Sequence, residues 1–234
     1  MRESAEEQAK WHQAQIQAAT DLVNRGGQAL RQGQNDMGLA VLLEAEAIMD
    51  MVQETDLEVR RLQARIFNEL GVLRQRQDRM EESLSYHERA AALCDELIES
   101  GEDFVGNAAA TYLNLSSVNA AMGKGEKAAE FGERALELVE GLEEEEAKAQ
   151  DPVKLGALQN LAVIRAGQKK WEDANQAMER ATEIAGRLAE QGQPNFLAQI
   201  GQGCLQLSVL LFEAKRFDDA LEWGRKAEDL AQEA

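Results

Sequence analysis

Two histidines, two cysteines, an acid-rich turn and a run of arginines are the residues of this chain whose types admit site chemistry. A histidine acts as general base for a nucleophile only with a hydroxyl, thiol or carboxyl in hydrogen-bond reach. No motif marks such a partner for His12 or His87, and His87 falls where related segments carry packing side chains, so it reads as a core or rim histidine. Cys94 and Cys204 match no metal-ligand or redox spacing and read as buried, reduced thiols. The stretch "GKGEK" (123–127) lacks the glycine pattern of a phosphate loop and reads as a turn between helices. The acids of "EGLEEEEAKAQD" (140–151) lack the alternating oxygen ligands and central glycine of a calcium loop, which leaves a solvated helix end. The expectation is no catalytic residue, no cofactor and no metal. The arginines are different: Arg60, Arg61, Arg65, Arg74, Arg76 and Arg79 stand together against Glu69 and Asp78, in a protein of formal charge −18. A guanidinium fork grips a carboxylate bidentately, so the run is a candidate carboxylate site. The alternative is pairing with acids of adjacent helices, which contributes little.

The elements that position these residues are helical. Two prolines and 5% aromatics among 234 residues, with abundant Ala, Leu, Glu and Gln, favour an all-α protein with a sizeable core. The negative charge disfavours nucleic-acid phosphates and anionic membrane surfaces. No apolar run approaches the roughly 20 residues of a bilayer crossing. The N-terminal "MRESAEEQAKWHQ" carries acids where a signal peptide has an apolar core, so a cytoplasmic protein is expected.

The chain also repeats itself. "KKWEDANQAMERATEI" (169–184) and "KRFDDALEWGRKAEDL" (215–230) share a basic residue, an aromatic, an acidic pair and two alanines seven apart. Anchored on the alanine after the acids, the series runs Ala40, Ser83, Ala128, Ala174 and Ala220, at intervals of 43, 45, 46 and 46. Seven residues after each anchor stand Ala47, Ala90, Ala135, Ala181 and Ala227. Thirteen before stand Leu70, Leu115, Leu161 and Leu207, with Gly27 in the weak first copy; the next residues are Gly71, Ser116, Ala162 and Ser208. Small residues facing each other let two antiparallel helices approach to about 8–10 Å. Met37, Met80, Trp171 and Phe217, three before the anchor, are expected to plug the turn, with Gly125 departing from the column. Trp223 is expected in the core, while Trp11, outside the columns, either covers the first unit or meets another chain.

This pattern resembles the tetratricopeptide repeat, best in "NLAVIRAGQKKWEDANQAMERA" (160–181) and "QLSVLLFEAKRFDDALEWGRKA" (206–227). The period exceeds the family's usual 34 residues, as in kinesin light chain and bacterial regulatory proteins of this type. The resemblance implies a right-handed α-solenoid of five helix-turn-helix units, about 3–54, 55–100, 101–149, 150–192 and 193–234, in one domain. Helices are expected at about 3–32, 36–53, 56–77, 79–99, 103–122, 125–148, 152–167, 170–190, 195–214 and 217–232, with Thr55 or Asp56 as a cap. Gly26 and Gly27 mark a soft spot or a close contact.

First helices line the inner wall of such a stack. The residues preceding the leucine column point there: Asn68 and Glu69, Leu113 and Asn114, Gln159 and Asn160, Leu205 and Gln206. Adjacent turns add Arg25, Arg65, Val72, Arg76, Ser117, Val163 and Val209. Amides beside small apolar residues suit an extended peptide, since they both donate to and accept from its backbone; otherwise they bridge neighbouring helices. Arg25, Arg65 and Arg76 on one wall would hold a free carboxylate or an acidic group. Some proteins of the family grip a terminal carboxylate with lysines and asparagines; Asn114 and Asn160 match the asparagine, and the lysines are absent. The expected function is a non-enzymatic scaffold or adaptor for a peptide or protein segment. The alternative is a peptide- or ligand-sensing module that regulates an effector. The last helix shows Leu221 beside Glu228, Asp229 and Gln232, an end that either caps itself or meets a second chain, as in a homodimer.

Overall fold

The computed structural model describes residues 2–52 and 56–233, with the side chains of 6–52 and 56–233. Among the described residues there are eleven helices: α1 (Arg2–Arg31), α2 (Asn35–Met51), α3 (Leu57–Arg76), α4 (Met80–Glu99), α5 (Val105–Ala121), α6 (Gly125–Glu140), α7 (Glu144–Ala149), α8 (Asp151–Gly167), α9 (Trp171–Glu190), α10 (Asn195–Glu213) and α11 (Phe217–Glu233). They fall into two compact units, Met1–Asn114 and Leu115–Ala234, divided within α5. In the first, α1 packs on α2 and α3 on α4; in the second, α8 packs on α9 and α10 on α11. First helices of successive hairpins also touch, α1 with α3 and α8 with α10.

Every hairpin turns on the same backbone device. A residue with positive φ ends the first helix: Gly33 (72°), Asp78 (61°), Gly123 (73°), Lys169 (62°) and Lys215 (63°). The following amide donates back five residues, as from Gln34 to Ala29 and Lys170 to Arg165, both at 2.9 Å. This left-handed closure satisfies carbonyls that the helix end would leave orphaned. These residues recur every 45 or 46 positions, each five before the anchor of its hairpin.

That spacing corrects the first copy. Its anchor is Gly38, not Ala40, and the small residue seven later is Ala45, fully buried, not the exposed Ala47. Gly26, not Gly27, makes the close approach: a Cβ there would stand 2.6 Å from Leu42 Cγ. The other four copies sit as the columns predict. Ser116 Oγ donates to the Ala128 carbonyl at 2.8 Å and Ser208 Oγ to the Ala220 carbonyl at 2.6 Å. In the α3–α4 hairpin the roles reverse, and the anchor Ser83 donates to the Gly71 carbonyl at 2.8 Å. The partner four past the anchor balances volume: His87 against Gly71, Gly132 near Ser116, Met178 in the hairpin of Ala162, and Gly224 near Ser208.

Three further expectations change. Met37 and Phe217 do not plug the turns, since both are exposed, while Met80 and Trp171 open their helices half-buried. The helix expected over 125–148 breaks at Gly141, and α7 restarts after an extended Glu143. Glycine forms helix poorly, and crowded acids at 143–146 repel across a turn. By length and composition alone, α10 is long and apolar enough to cross a membrane. Part of its apolarity goes into packing, since Leu197, Ile200, Cys204, Leu207 and Leu211 are buried, while Leu205, Val209 and Phe212 stay exposed. Asp56 caps α3 by accepting from the Val59 amide at 2.8 Å, while Thr55 lies outside the described residues. Trp223 is buried and donates to Asn175 at 2.9 Å. Trp11 stays half exposed on α1.

Candidate functional site

In the first unit, the candidate face is carried by α1, α3 and the start of α5. The arginine run divides into two groups. Arg60 pairs with Glu96 at 2.9 Å, Arg61 with Glu102, and Arg74 and Arg79 with Glu82. These four are ordinary ion pairs, the weaker of the two sequence readings. Arg65 and Arg76 instead reach α1. Arg65 Nη2 donates to Asn24 Oδ1 at 3.4 Å. Arg76 Nη1 donates to the Leu30 carbonyl at 2.9 Å and to Asn35 Oδ1 at 3.3 Å. Leu30 lies in the last turn of α1, where carbonyls lack helical donors and a cation is favoured, so Arg76 caps that helix. Arg25 is exposed on α1 and, among the described residues, makes no hydrogen bond or ion pair.

Between these cations lies Glu69, half-buried on α3. Burial pushes its carboxyl above the usual range, while Arg65, Arg31 and Arg76 pull it back. Asn114 Nδ2 donates to Asn68 Oδ1 at 3.0 Å, so part of the amide pair ties α5 to α3. Arg65, Asn68 and Glu69, with Asn107 and Thr111 of α5 and Cys94 of α4, line a small polar cavity of about 80 Å³. Val72 is half-buried against the hydrophobic core, and Leu113 is half-buried on α5.

In the second unit, Asn160 Nδ2 donates to Ser117 Oγ at 2.8 Å, and Gln199 Nε2 to Gln159 Oε1 at 3.3 Å. These amides also join successive first helices. The open part of this face is apolar. Val163, Leu205 and Val209, with Leu210, Gln202, Gln206 and Glu213, line a groove of about 420 Å³. Leu205 is 56% exposed and Val209 50%. The sequence columns named both; they missed Phe212, 62% exposed on the next turn of α10, whose ring meets that of Phe217, 56% exposed and expected as a turn plug, edge to face at 5.4 Å. Its signal was positional, because Phe212 falls where the preceding copy has the buried Ala166.

His87 and the two cysteines are packed away from solvent. His87 is fully buried, and both ring nitrogens lack a hydrogen-bond partner among the described residues. Desolvation lowers its pKa to about 4. Cys94 and Cys204 are buried free thiols; burial pushes the Cys94 pKa up to about 11. No group of three or more His, Cys, Asp or Glu side chains suited to a metal occurs among the described residues.

Residues 62–141 match the family model described as the tetratricopeptide repeat. Among solved structures, BtubC (BKLC) from P. vanneervenii is similar at 21% identity, with 94% of this chain and 91% of that one covered and a TM-score of 0.64. A Podosopora anserina kinesin light chain protein of nearly identical TPR-like repeats is similar at 16% identity, covering 91% and 94%, with a TM-score of 0.63. The Rap conjugation gene regulator of plasmid pLS20, solved with the Phr* peptide, is similar at 14% identity, covering 88% of this chain and 51% of that one, with a TM-score of 0.56. No curated protein matches the sequence.

Proposed function

We propose, for a chain built of long tetratricopeptide repeats in an all-α solenoid fold, that its first-helix faces hold a peptide or protein segment. It works as a non-enzymatic scaffold or adaptor. The observation that carries this reading is the α8–α10 groove, where Leu205 and Val209 stay about half exposed between Gln202 and Gln206. Apolar area left open beside amides suits a ligand that buries side chains and offers its backbone for hydrogen bonding. The candidate residues are Val163 and Gln206 there, with Ser117, Gln159 and Asn160 setting the helix spacing. On the first unit's face, Arg25 and Arg65 take a free carboxylate or acidic side chain beside Asn68, Val72, Leu113 and Asn114, and Arg76 holds α1 in place. The likeness to a regulator solved with a peptide supports this reading. The burial of His87 removes it as a solvent-facing acid or base. Free buried thiols suit the reducing cytoplasm, and the charge of −18 disfavours nucleic acid and membrane as partners.

The test is selection of a random peptide library on the intact chain. Enriched peptides are expected to lose at least tenfold in affinity with Leu205→Ser plus Val209→Ser, at unchanged helical circular dichroism. Arg25→Glu plus Arg65→Glu is expected to weaken acidic peptides selectively. No enrichment over bare matrix, or peptides indifferent to both pairs, overturns the reading. The second reading, a peptide-sensing regulator, draws on the same regulator's likeness. It requires that a selected peptide change the radius of gyration in small-angle scattering; an unchanged radius leaves the scaffold.

A further inference from the structure

Successive hairpins meet with a fixed electrical polarity. Within each unit, the second helix of the earlier hairpin offers an acid and the later hairpin answers with arginine. Glu46 of α2 meets Arg89 of α4 at 2.9 Å, Glu140 of α6 meets Arg180 of α9 at 2.6 Å, and Glu133 of α6 meets Arg165 of α8. Glu172 of α9 meets Arg216, just before α11, at 3.7 Å. The residue one past the anchor is part of the same contact, since Asn175 accepts from Trp223 of the following hairpin.

The last described helix differs from the earlier copies at one charged position. Position for position, Asp218 of α11 matches Glu172 and Leu221 matches Asn175, but Arg225 stands where Glu88, Glu133 and Glu179 stand in the earlier copies. Leu221 is 55% exposed. Asp218, Leu221 and Arg225 line one open depression on α11, flanked by Glu222 and Lys226. Among the described residues neither Asp218 nor Arg225 forms an ion pair. The face carries the acids Asp218, Glu222 and Asp229 and the bases Arg225 and Lys226; Asp218 and Arg225 stand two turns apart, about 10 Å along the axis, with Leu221 between them. Such a pattern is complementary to itself under a two-fold axis.

We infer that α11 is a self-association face. Two copies pair their α11 helices antiparallel, so that Asp218 of each meets Arg225 of the other, and the two Leu221 side chains pack at the centre. Phe217, one turn before Leu221, is exposed, and its ring meets Phe212 edge to face. A two-helix contact of this kind is smaller than a standard protein interface, so the dimer is a weak, concentration-dependent one. This inference does not rest on peptide binding, which uses the first-helix faces.

The experiment is sedimentation equilibrium of the intact chain over a concentration series, with circular dichroism to confirm helicity. The wild type is expected to move from 25.9 kDa toward twice that mass. Arg225→Asp and Asp218→Arg are each expected to weaken dimerisation at least tenfold. Mixing the two variants restores the dimer, because each then presents what the other lacks; the double variant Asp218→Arg plus Arg225→Asp also dimerises. A mass of one chain at every concentration overturns the inference. So does a dimer indifferent to both charge reversals, or a mixture that stays monomeric.

Discussion

At the scale of single residues, His87 carries the sharpest consequence. Its ring sits where a Cβ on Gly71 would approach within 2.6 Å, so that glycine is required by volume rather than by backbone conformation. Both nitrogens are buried without partners among the described residues, and the pKa falls from 6.5 to about 4. Because the folded pKa is depressed, the unfolded chain binds the proton first as pH falls. Stability is therefore full above about pH 6.5 and is lost progressively as pH drops toward 4, by about 3 kcal/mol at about 1.4 kcal/mol per pKa unit. His87→Met, the side chain α9 buries at the same place as Met178, is expected to abolish this slope. Urea midpoints between pH 4 and 7.5 measure it; a variant with the wild-type slope would assign the acid sensitivity to other groups. The sequence reads His87 as a core or rim histidine, and the structure puts it in the core. The sequence could not show that both nitrogens go unpaired, which depends on what α3 brings opposite them.

Among the elements, the turns were less legible than the helices. The alternation of helix and small-residue column is written in side chains, and four of five hairpins followed it. The turn is set by backbone, and its positive-φ residue is glycine in two hairpins but Asp78, Lys169 or Lys215 in the other three. No side-chain pattern announces a lysine there, and the missed regularity is why the first copy was framed two residues late, on Ala40 instead of Gly38. An L-residue in this region costs roughly 1 kcal/mol, so Lys169→Gly and Lys215→Gly should each raise stability by about 0.5–1 kcal/mol. Chemical denaturation of the two single variants measures this. Equal or lower stability would mean that the lysine side chains compensate the strain, for instance through the negative ends of α8 and α10.

For the whole molecule, the period and class were legible because they recur, while the candidate site was only half legible because it depends on pairing at a distance. Asn114, Asn160 and Gln159 are expected from sequence to line a groove, and each spends a hydrogen bond on a side chain 40 to 46 positions away. Arg76 was placed there too, and it caps α1. Such bonds join hairpins rather than build them, so stability in each unit depends on neighbours. Removing residues 193–234 tests this directly. The α8–α9 hairpin keeps its own closure, including Arg187 on the buried Asp151 at 3.1 Å. It loses Trp223 on Asn175, Arg216 on Glu172, Gln199 on Gln159, and the cover of α10. The shortened chain is expected to melt several degrees lower, with the largest loss of amide-exchange protection in α8 and α9. Unchanged protection there would show that the hairpin is stable without its successor, and that the acid-to-arginine contacts set only the order in which hairpins meet.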